Sequence, residues 1–305
     1  EQAIEVAKGL VAARPMMYLA HHQLFVEYFA AKRMDEALEA ARDGQKRFQG
    51  AEELAPYREL LQRREILALC ALERQDDLNN LEPNNQKVTL AKASAWVELG
   101  KPDRAIEELQ RALQKNRQFT EGLNMAAKLC FQLDRYDEAA GYAIAALGQK
   151  RDQWELYPLQ ATAQFRLEQY ESAFDVMRTL IRERPDVADG YRVLASLLQD
   201  NKKTDEALAV LEDGRVRLPE DLSLVRLQVE ILARSNRIDE ANKLIVEKVG
   251  NPPDADTALI VARIFFQAGA HEEAVAWVEK ARAAGAPPVA CAILLGEIGM
   301  TAGMA

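Results

Sequence analysis

The chain has 305 residues and an acidic balance, with 48 aspartate and glutamate residues against 39 lysine and arginine residues. Its formal net charge is −9, and it contains no basic run. Binding to nucleic acid depends on clustered positive charge that displaces counterions from phosphates. The composition therefore argues against a nucleic-acid partner.

The three cysteines, Cys70, Cys130 and Cys291, lie far apart on apolar stretches and form no CxxC pair. An odd number of separated cysteines is typical of small core residues and not of a disulfide framework or a zinc site. Reduced thiols slightly favour a cytoplasmic location, and a periplasmic location stays open.

The sequence offers little for catalysis. His21 and His22 are adjacent, so their side chains would diverge by about 100° on a helix, and His271 falls in a predicted turn. There is no HExxH motif, phosphate-binding glycine loop or GxSxG motif. We therefore predict that the protein is not an enzyme, with no catalytic residue, no cofactor and no metal.

The final stretch, residues 289–305, is apolar but short and is interrupted by Glu297. A membrane-spanning helix needs about 20 largely apolar residues. We therefore expect no direct insertion into a membrane, and no signal peptide is visible.

One short pattern recurs along almost the whole chain: an alanine with an acid two residues before it. The alanines, called anchors below, are Ala37, Ala105, Ala139, Ala173, Ala207, Ala241 and Ala274. The acids are Asp35, Asp103, Asp137, Glu171, Asp205, Asp239 and Glu272. The spacing between successive anchors is constant from Ala105 to Ala241, exactly double in the first gap and one position shorter in the last. The chain is therefore an array of repeats.

Prolines give a second marker of the same period. Each lies twelve residues after an anchor, or after Ala3 or Ala71, where an anchor would be expected. These prolines are Pro15, Pro83, Pro185, Pro219 and Pro253. The period therefore runs from the first residue and passes through a repeat whose acidic pair is missing.

A 34-residue repeat with two apolar-periodic stretches is too small to bury a core alone, so neighbouring repeats must stack. We predict one elongated domain, residues 1–305, and a partial repeat at each end. The predicted repeats are 1–17 (partial), 18–51, 52–85, 86–119, 120–153, 154–187, 188–221, 222–254, 255–288 and 289–305 (partial).

The acids before the anchors are expected to meet the free amides and the positive dipole end of the second helix of each repeat. The prolines should end that helix, and the polar residues after them should open the next repeat. Those residues are Asn84, Asp186, Glu220 and Asp254.

The repeat at 52–85 is irregular. Its apolar residues Leu54, Tyr57, Leu60 and Leu61 are out of phase with the others, and LNNLEPNNQ reads as a polar loop. We expect a local bend there and not a domain boundary.

The array resembles the tetratricopeptide repeat over nearly the whole chain. With the anchor as position 20, that family has a small residue at position 8, where the two helices meet, and a large apolar residue at position 4. Position 8 holds Ala93, Ala127, Ala161, Ala195, Ala262 and Gly296, with Phe25, Glu59 and Val229 as departures. Position 4 holds Leu123, Tyr157, Tyr191 and Val225. The resemblance implies an all-α solenoid, a right-handed superhelix of about eight helix-turn-helix repeats.

In the tetratricopeptide family, positions 2, 5, 9, 12 and 13 of the first helix commonly face the concave wall. Carried onto this chain, they predict a wall that is basic and aromatic in its second half and prefers an acidic peptide. The alternatives are salt bridges for the arginines and packing between repeats for the phenylalanines. The candidate residues are Asn124, Lys128, Phe131, Phe165, Arg166, Arg192, Ser196, Gln199, Arg226, Arg234, Arg263 and Phe266.

The resemblance implies a non-catalytic scaffold that binds an extended or helical peptide of a partner protein in its concave groove. One alternative is an arm of a larger envelope or polysaccharide-secretion assembly, or of a multidomain enzyme. Another is a homo-oligomer that stacks through open ends. In the last helix, Ile293, Leu294, Leu295, Ile298 and Met300 are expected to form an apolar face that another molecule covers.

Overall fold

The computed structural model describes residues 1–82, 85–249 and 254–302. Pro83, Asn84 and Pro253 lie outside the described residues, so their predicted places between helices stay predictions. Pro15, Pro185 and Pro219 lie between helices, as predicted.

The described residues form helices without a strand, which confirms the all-α prediction. The N-terminal helices are α1 (Gln2–Ala13), α2 (Tyr18–Ala30), α3 (Met34–Arg47), α4 (Ala55–Ala71), α5 (Gln75–Asn80), α6 (Gln86–Glu98), α7 (Pro102–Lys115), α8 (Thr120–Gln132) and α9 (Tyr136–Gln149). The C-terminal helices are α10 (Leu156–Arg166), α11 (Tyr170–Glu183), α12 (Ala188–Asp200), α13 (Thr204–Arg217), α14 (Leu222–Arg234), α15 (Ile238–Val249), α16 (Ala255–Gln267), α17 (His271–Ala283) and α18 (Pro288–Ala302). A 3₁₀ turn, Glu52–Leu54, precedes α4.

The chain forms two compact units, Glu1–Gln153 and Trp154–Ala305, called the N-terminal and C-terminal units below. Within each unit, the two helices of a repeat, helix A and helix B, pack together, as in α8 with α9 and α16 with α17. Helix A also packs on helix A of the next repeat, as in α6 with α8 and α14 with α16. The single elongated domain stays a prediction.

Small residues fix the contact between the two helices of most repeats. The seven anchor alanines are fully buried on helix B. The five alanines at position 8 of helix A are fully buried as well: Ala93, Ala127, Ala161, Ala195 and Ala262. Because a methyl side chain occupies little space, the paired helices can approach closely and share one continuous core.

The turn from helix A to helix B has one conformation in all eight described repeats. It contains a left-handed residue, Lys32, Glu73, Gly100, Asp134, Glu168, Lys202, Asn236 or Gly269. The next amide donates to a carbonyl five residues earlier, as from Lys101 to Trp96 over 2.8 Å. This bond satisfies a carbonyl that the end of helix A would otherwise leave free.

The acids before the anchors lie in the first turn of helix B and do not occupy its N-cap position. The residue at the N-cap is often basic. Arg135 caps α9 without a side-chain bond to its backbone. Its guanidinium lies 2.7 Å from Glu138 and 3.1 Å from Asp103 of the preceding repeat. The sequence predicted the dipole role of these acids but missed their partners.

This pairing between repeats recurs at a constant separation in sequence. Arg33 pairs with Glu1 at 3.0 Å, and Arg237 pairs with Asp205 at 2.9 Å. Lys203 likewise pairs with Glu171 at 2.8 Å. Exposed ion pairs contribute little to stability singly, but this set repeats the same register between successive repeats.

In two repeats the N-terminus of helix A differs from the prediction. Asp221 accepts from the amide of Ser223 and caps α14, where Glu220 was expected. Asp186 pairs with Arg184 instead of capping α12. Asp254 caps α16 through the amide of Thr257, as predicted.

In the irregular repeat, the residues at the core positions lie seven residues later in the sequence than the regular period predicts. Its helix A, α4, runs to Ala71, so the position expected for an anchor falls at the end of helix A. Five buried residues of α4, Leu61, Glu65, Ile66, Ala68 and Leu69, match those of α6, which are, in the same order, Val88, Lys92, Ala93, Ala95 and Trp96; Leu67 and Cys70 of α4 are buried as well. Ile66 thus matches Ala93, so position 8 of the irregular repeat is Ile66 and not Glu59.

The acidic pair of this repeat is therefore present: Asp76 and Asp77 precede Leu78, which takes the place of the anchor alanine. Leu78 is fully buried on α5, so the first part of LNNLEPNNQ is helix and not the predicted polar loop. The segment between α3 and the packed part of α4 is seven residues longer than in a regular repeat, and the segment after α4 is seven residues shorter. The two changes cancel, so the spacing between Ala37 and Ala105 is still two regular periods. The local bend stays a prediction.

A buried lysine closes the end of the short helix α5. Lys92 of α6 donates from Nζ to the carbonyl oxygen of Leu78 and, over 3.3 Å, to that of Leu81. Its burial lowers the pKa of the ammonium group. Lys92 thus satisfies main-chain acceptors that the missing turns of helix B leave free.

In the last helix, α18, the core positions of the repeat fall one residue earlier than the regular period predicts. Its buried residues are Cys291, Leu294 and Ile298, which correspond to Ala258, Val261 and Phe265 of α16. Gly296 is exposed, and a Cβ there would meet no atom within 4 Å, so it is not the predicted small contact at position 8.

The predicted apolar face of this helix is correspondingly smaller than expected. Leu294 and Ile298 are buried within the C-terminal unit, whereas Ile293 and Met300 are 55% and 77% exposed. Self-association through this face stays a prediction.

All three cysteines are buried free thiols, as predicted. Burial raises the pKa of Cys70 to about 12 and that of Cys130 to about 11. Thiolates are scarce at neutral pH in such surroundings, which fits a packing role.

Replacing Ala139 by leucine should overpack the contact between α8 and α9. We expect the free energy of unfolding to fall by about 1–3 kcal/mol, because the buried site has no room for the larger side chain. Ala145→Leu on the exposed face of α9 is the control and should change it by less than about 0.5 kcal/mol. Urea denaturation measures both, and equal effects would contradict the small-residue contact.

One substitution should have opposite effects at two glycines. Gly100→Ala should destabilise the protein by about 1–2 kcal/mol, because φ is 70° there. Gly141→Ala, within α9, should stabilise it by about 0.5–1 kcal/mol. A Cβ meets nothing within 4 Å at either site, so backbone conformation alone decides the sign. Thermal denaturation of both variants tests this, and a shared sign would be inconsistent with the turn geometry.

Candidate binding surfaces

The twelve predicted wall residues all lie on helix A of their repeats, and they divide between the two units. Asn124, Lys128 and Phe131 lie on α8 of the N-terminal unit. The other nine lie on α10, α12, α14 and α16 of the C-terminal unit.

Two of the predicted arginines are paired within their own helices. Arg192 contacts Asp189, and Arg234 lies 3.6 Å from Glu230. Both pairs are exposed and span one helical turn, so they can exchange for a ligand at small cost. Arg166 is exposed and makes no ion pair with any described residue.

Two other arginines line a groove of about 370 Å³ on α14, α16 and α18 of the C-terminal unit. Arg226 donates to the amide oxygen of Gln267 over 3.4 Å, and Arg263 lies 3.6 Å from Glu297. The groove is lined by Arg226, Leu259, Ile260, Arg263, Ile264, Ala290, Ile293 and Leu294.

The groove is amphipathic. Ile260 and Ile293 are 58% and 55% exposed. Large exposed aliphatic side chains beside two guanidinium groups form a surface that can bury an apolar stripe and hold carboxylates at its edge. The sequence predicted both arginines as wall residues, but it did not place Ile260 or Ile293 beside them.

The predicted phenylalanines pack against aromatic residues five positions later, at the start of helix B. Phe131 meets Tyr136 with ring centroids 5.5 Å apart, and Phe165 meets Tyr170 at 5.0 Å. The ring at position 266 lies 5.8 Å from that of His271. These contacts favour packing over an open aromatic wall, but they lie within single repeats and not between repeats as the alternative expected.

The predicted polar residues are engaged to different degrees. Asn124 donates to the side chain of Gln153, and Ser196 donates to the carbonyl oxygen of Arg192 over 3.0 Å. Lys128 is exposed beside Asn124 on α8, and Gln199 has a buried amide oxygen without a hydrogen bond from the described residues.

Sequence reasoning missed a larger cleft of about 540 Å³ in the N-terminal unit, between α3, α4 and α6. Its wall includes Lys46, Arg58 and Arg63. With the corrected phase of α4, Arg63 takes position 5, which commonly faces the concave wall. Recognising Asp76-Asp77-Leu78 as the acidic pair with a substituted anchor would have found it.

Two other kinds of site are absent from the described ranges. No cluster of histidine, cysteine, aspartate and glutamate there is arranged to hold a metal ion. No helix in the same ranges has the length and apolar character needed to cross a bilayer.

A family model described as tetratricopeptide repeat matches residues 90–153, 159–221 and 226–287, which together make up more than half of the chain. No curated protein sequence matches. Among solved structures, MamA from Desulfovibrio magneticus RS-1 is 14% identical, covering 53% of this chain and 92% of its own, with a TM-score of 0.44. A tetratricopeptide repeat protein from Parabacteroides merdae is 17% identical over 93% of this chain and 98% of its own, with a TM-score of 0.44. The matched family ranges begin after the irregular repeat.

Substituting Phe165 distinguishes packing from ligand contact. Phe165→Ala should lower the free energy of unfolding by about 1–3 kcal/mol, less than for a fully buried ring, because the side chain is half-buried against Tyr170 and Phe174. Arg166→Ala, its exposed neighbour, should change it by less than about 0.5 kcal/mol. Urea denaturation measures both. Unchanged stability in Phe165→Ala would show that packing does not hold the ring.

Proposed function

Because the chain belongs to the tetratricopeptide repeat family, we propose that it is a non-catalytic scaffold whose C-terminal groove binds an acidic, amphipathic segment of a partner protein. Proteins of this family bind protein partners and are typically non-catalytic. The groove on α14, α16 and α18 is the site at which the proposal places the segment.

The observation that carries the proposal is the combination of side chains in that groove. Arg226 and Arg263 come from equivalent helices of successive repeats, and Ile260 and Ile293 stand exposed between and beside them. An amphipathic helix or extended segment offers acids and apolar side chains at regular intervals, which suits a wall built from repeats.

The two arginines are available to a ligand at small cost. Arg263 and Glu297 are 3.6 Å apart and both partly exposed, and within the described residues the side chain of Arg226 donates to a neutral amide at 3.4 Å and makes no ion pair. Exposed pairs of this kind are weak, whereas a carboxylate held by a desolvated arginine fork is bound more strongly. Affinity should therefore depend on how much apolar surface the partner buries around the guanidinium groups.

A matched control uses Arg178 and Arg182, which lie on helix B of a repeat in the same unit and do not line the groove. The test variant is Arg226→Glu with Arg263→Glu, and the control is Arg178→Glu with Arg182→Glu, which changes the charge equally. Peptides selected from a random library on the wild-type protein should contain acidic and apolar residues. The test variant should bind them roughly tenfold or more weakly, and the control should bind them normally.

The comparison is made by fluorescence anisotropy, with thermal denaturation of each variant to confirm folding. A second variant, Arg226→Gln with Arg263→Gln, avoids repulsion of Glu297 and should also weaken binding. Selected peptides that lack acids, or that bind the test variant as tightly as wild type, would contradict the proposed groove.

The larger-assembly and self-assembly alternatives stay predictions. Neither has a specific contact in the described residues to support it. The proposal on the C-terminal groove holds whether or not the scaffold is part of a larger assembly.

A further inference from the structure

The cleft of the N-terminal unit is a product of the irregular repeat. Helix α4 starts at Ala55, four residues earlier relative to its position 8 than α6 does, so it has an additional first turn. Arg58 lies on that turn and Arg63 lies further along the same helix, while the C-terminal part of α3 and the start of α6 complete the wall. The volume of about 540 Å³ is within the usual range for small-molecule sites.

Three cations in this wall have no partner among the described residues. The side chains of Lys46, Arg58 and Arg63 make neither an ion pair nor a hydrogen bond with that part of the chain. Outside the cleft wall, Arg42 and Arg47 on the same helix as Lys46 are both paired with acids at 2.7 Å. On this helix the two arginines outside the cleft wall are compensated, whereas Lys46 is not compensated by any described residue.

The two carboxylates in the wall are already engaged by other residues of the same wall. Glu59 lies 3.5 Å from Nζ of Lys87. Glu82 accepts from Gln62 over 3.3 Å and from Asn85 over 2.6 Å. The cleft therefore presents a surplus of positive charge in a protein whose net charge is −9.

Arg58 is half-buried in this wall. Its Nε is buried and has no acceptor among the described residues. A buried donor without a partner is costly, and native structures rarely leave one. An oxyanion in the cleft would compensate the positive charge of Arg58.

We propose that this cleft binds a phosphoryl group, carried either by a small molecule or by a phosphorylated side chain. A phosphoryl group offers three acceptor oxygens and close to two negative charges at neutral pH, whereas a carboxylate offers one charge. Two arginine forks and a lysine match the larger charge, and the amide of Gln49 in the wall is a further donor.

Titration calorimetry with pyrophosphate and with a phosphoserine peptide distinguishes the two sources. The test variant is Arg58→Gln with Arg63→Gln, which keeps side-chain size and removes charge. The control is Arg104→Gln with Arg117→Gln, two exposed arginines of the same unit that lie outside the cleft. We expect at least one ligand to bind wild type and the control equally, and to bind the test variant roughly tenfold or more weakly.

Thermal denaturation verifies that the test variant folds, and Lys46→Gln gives a second, milder loss of charge that should weaken binding in the same direction. The proposal is overturned if neither ligand binds wild type, or if the test variant binds as well as the control. A glutamate peptide that binds as tightly as the phosphoserine peptide would also overturn it, in favour of carboxylate recognition. The C-terminal groove is intact in all these variants, so failure here leaves the proposed peptide site untouched.

Discussion

The fold depends on how closely the two helices of each repeat can approach. Alanine at position 8 and alanine at position 20 are both fully buried in most repeats, and larger residues such as Phe25 and Val229 at position 8 face an alanine anchor on helix B. Among the described repeats, only the irregular one has large residues at both positions, Ile66 and Leu78, and its helix B has only 6 residues. A full-length helix B is therefore found where helix A and helix B of a repeat approach closely. Such a helix B also carries the contacts to the next repeat.

The sequence was sufficient for the helical class and for the buried state of the cysteines, and the repeat boundaries stay predictions. The class and the predicted boundaries follow from a spacing that is repeated many times, so a single departure cannot obscure them. The irregular repeat could not be placed in the same way, because its gain and loss of seven residues cancel. Buried Leu78 shows the true phase, but a leucine in place of an alanine does not match the pattern that defined the anchors.

The candidate sites were less predictable than the fold. Family positions placed Arg226 and Arg263 on the predicted wall, and both line a groove of the C-terminal unit; its role as a peptide site stays a prediction. They could not show that Phe131 and Phe165 pack on tyrosines of their own repeats, since side-chain direction depends on the turn between the helices. The cations of the N-terminal cleft were missed because their helix was assigned the wrong phase.

The place of the change explains how the irregular repeat remains in the array. The seven residues are gained between α3 and the packed part of α4, and they are lost after α4, so the apolar face of α4 keeps its contacts. Gains and losses of seven residues are thus a route by which such an array can lengthen one helix, shorten the next and open a new cleft, while every other repeat keeps its packing.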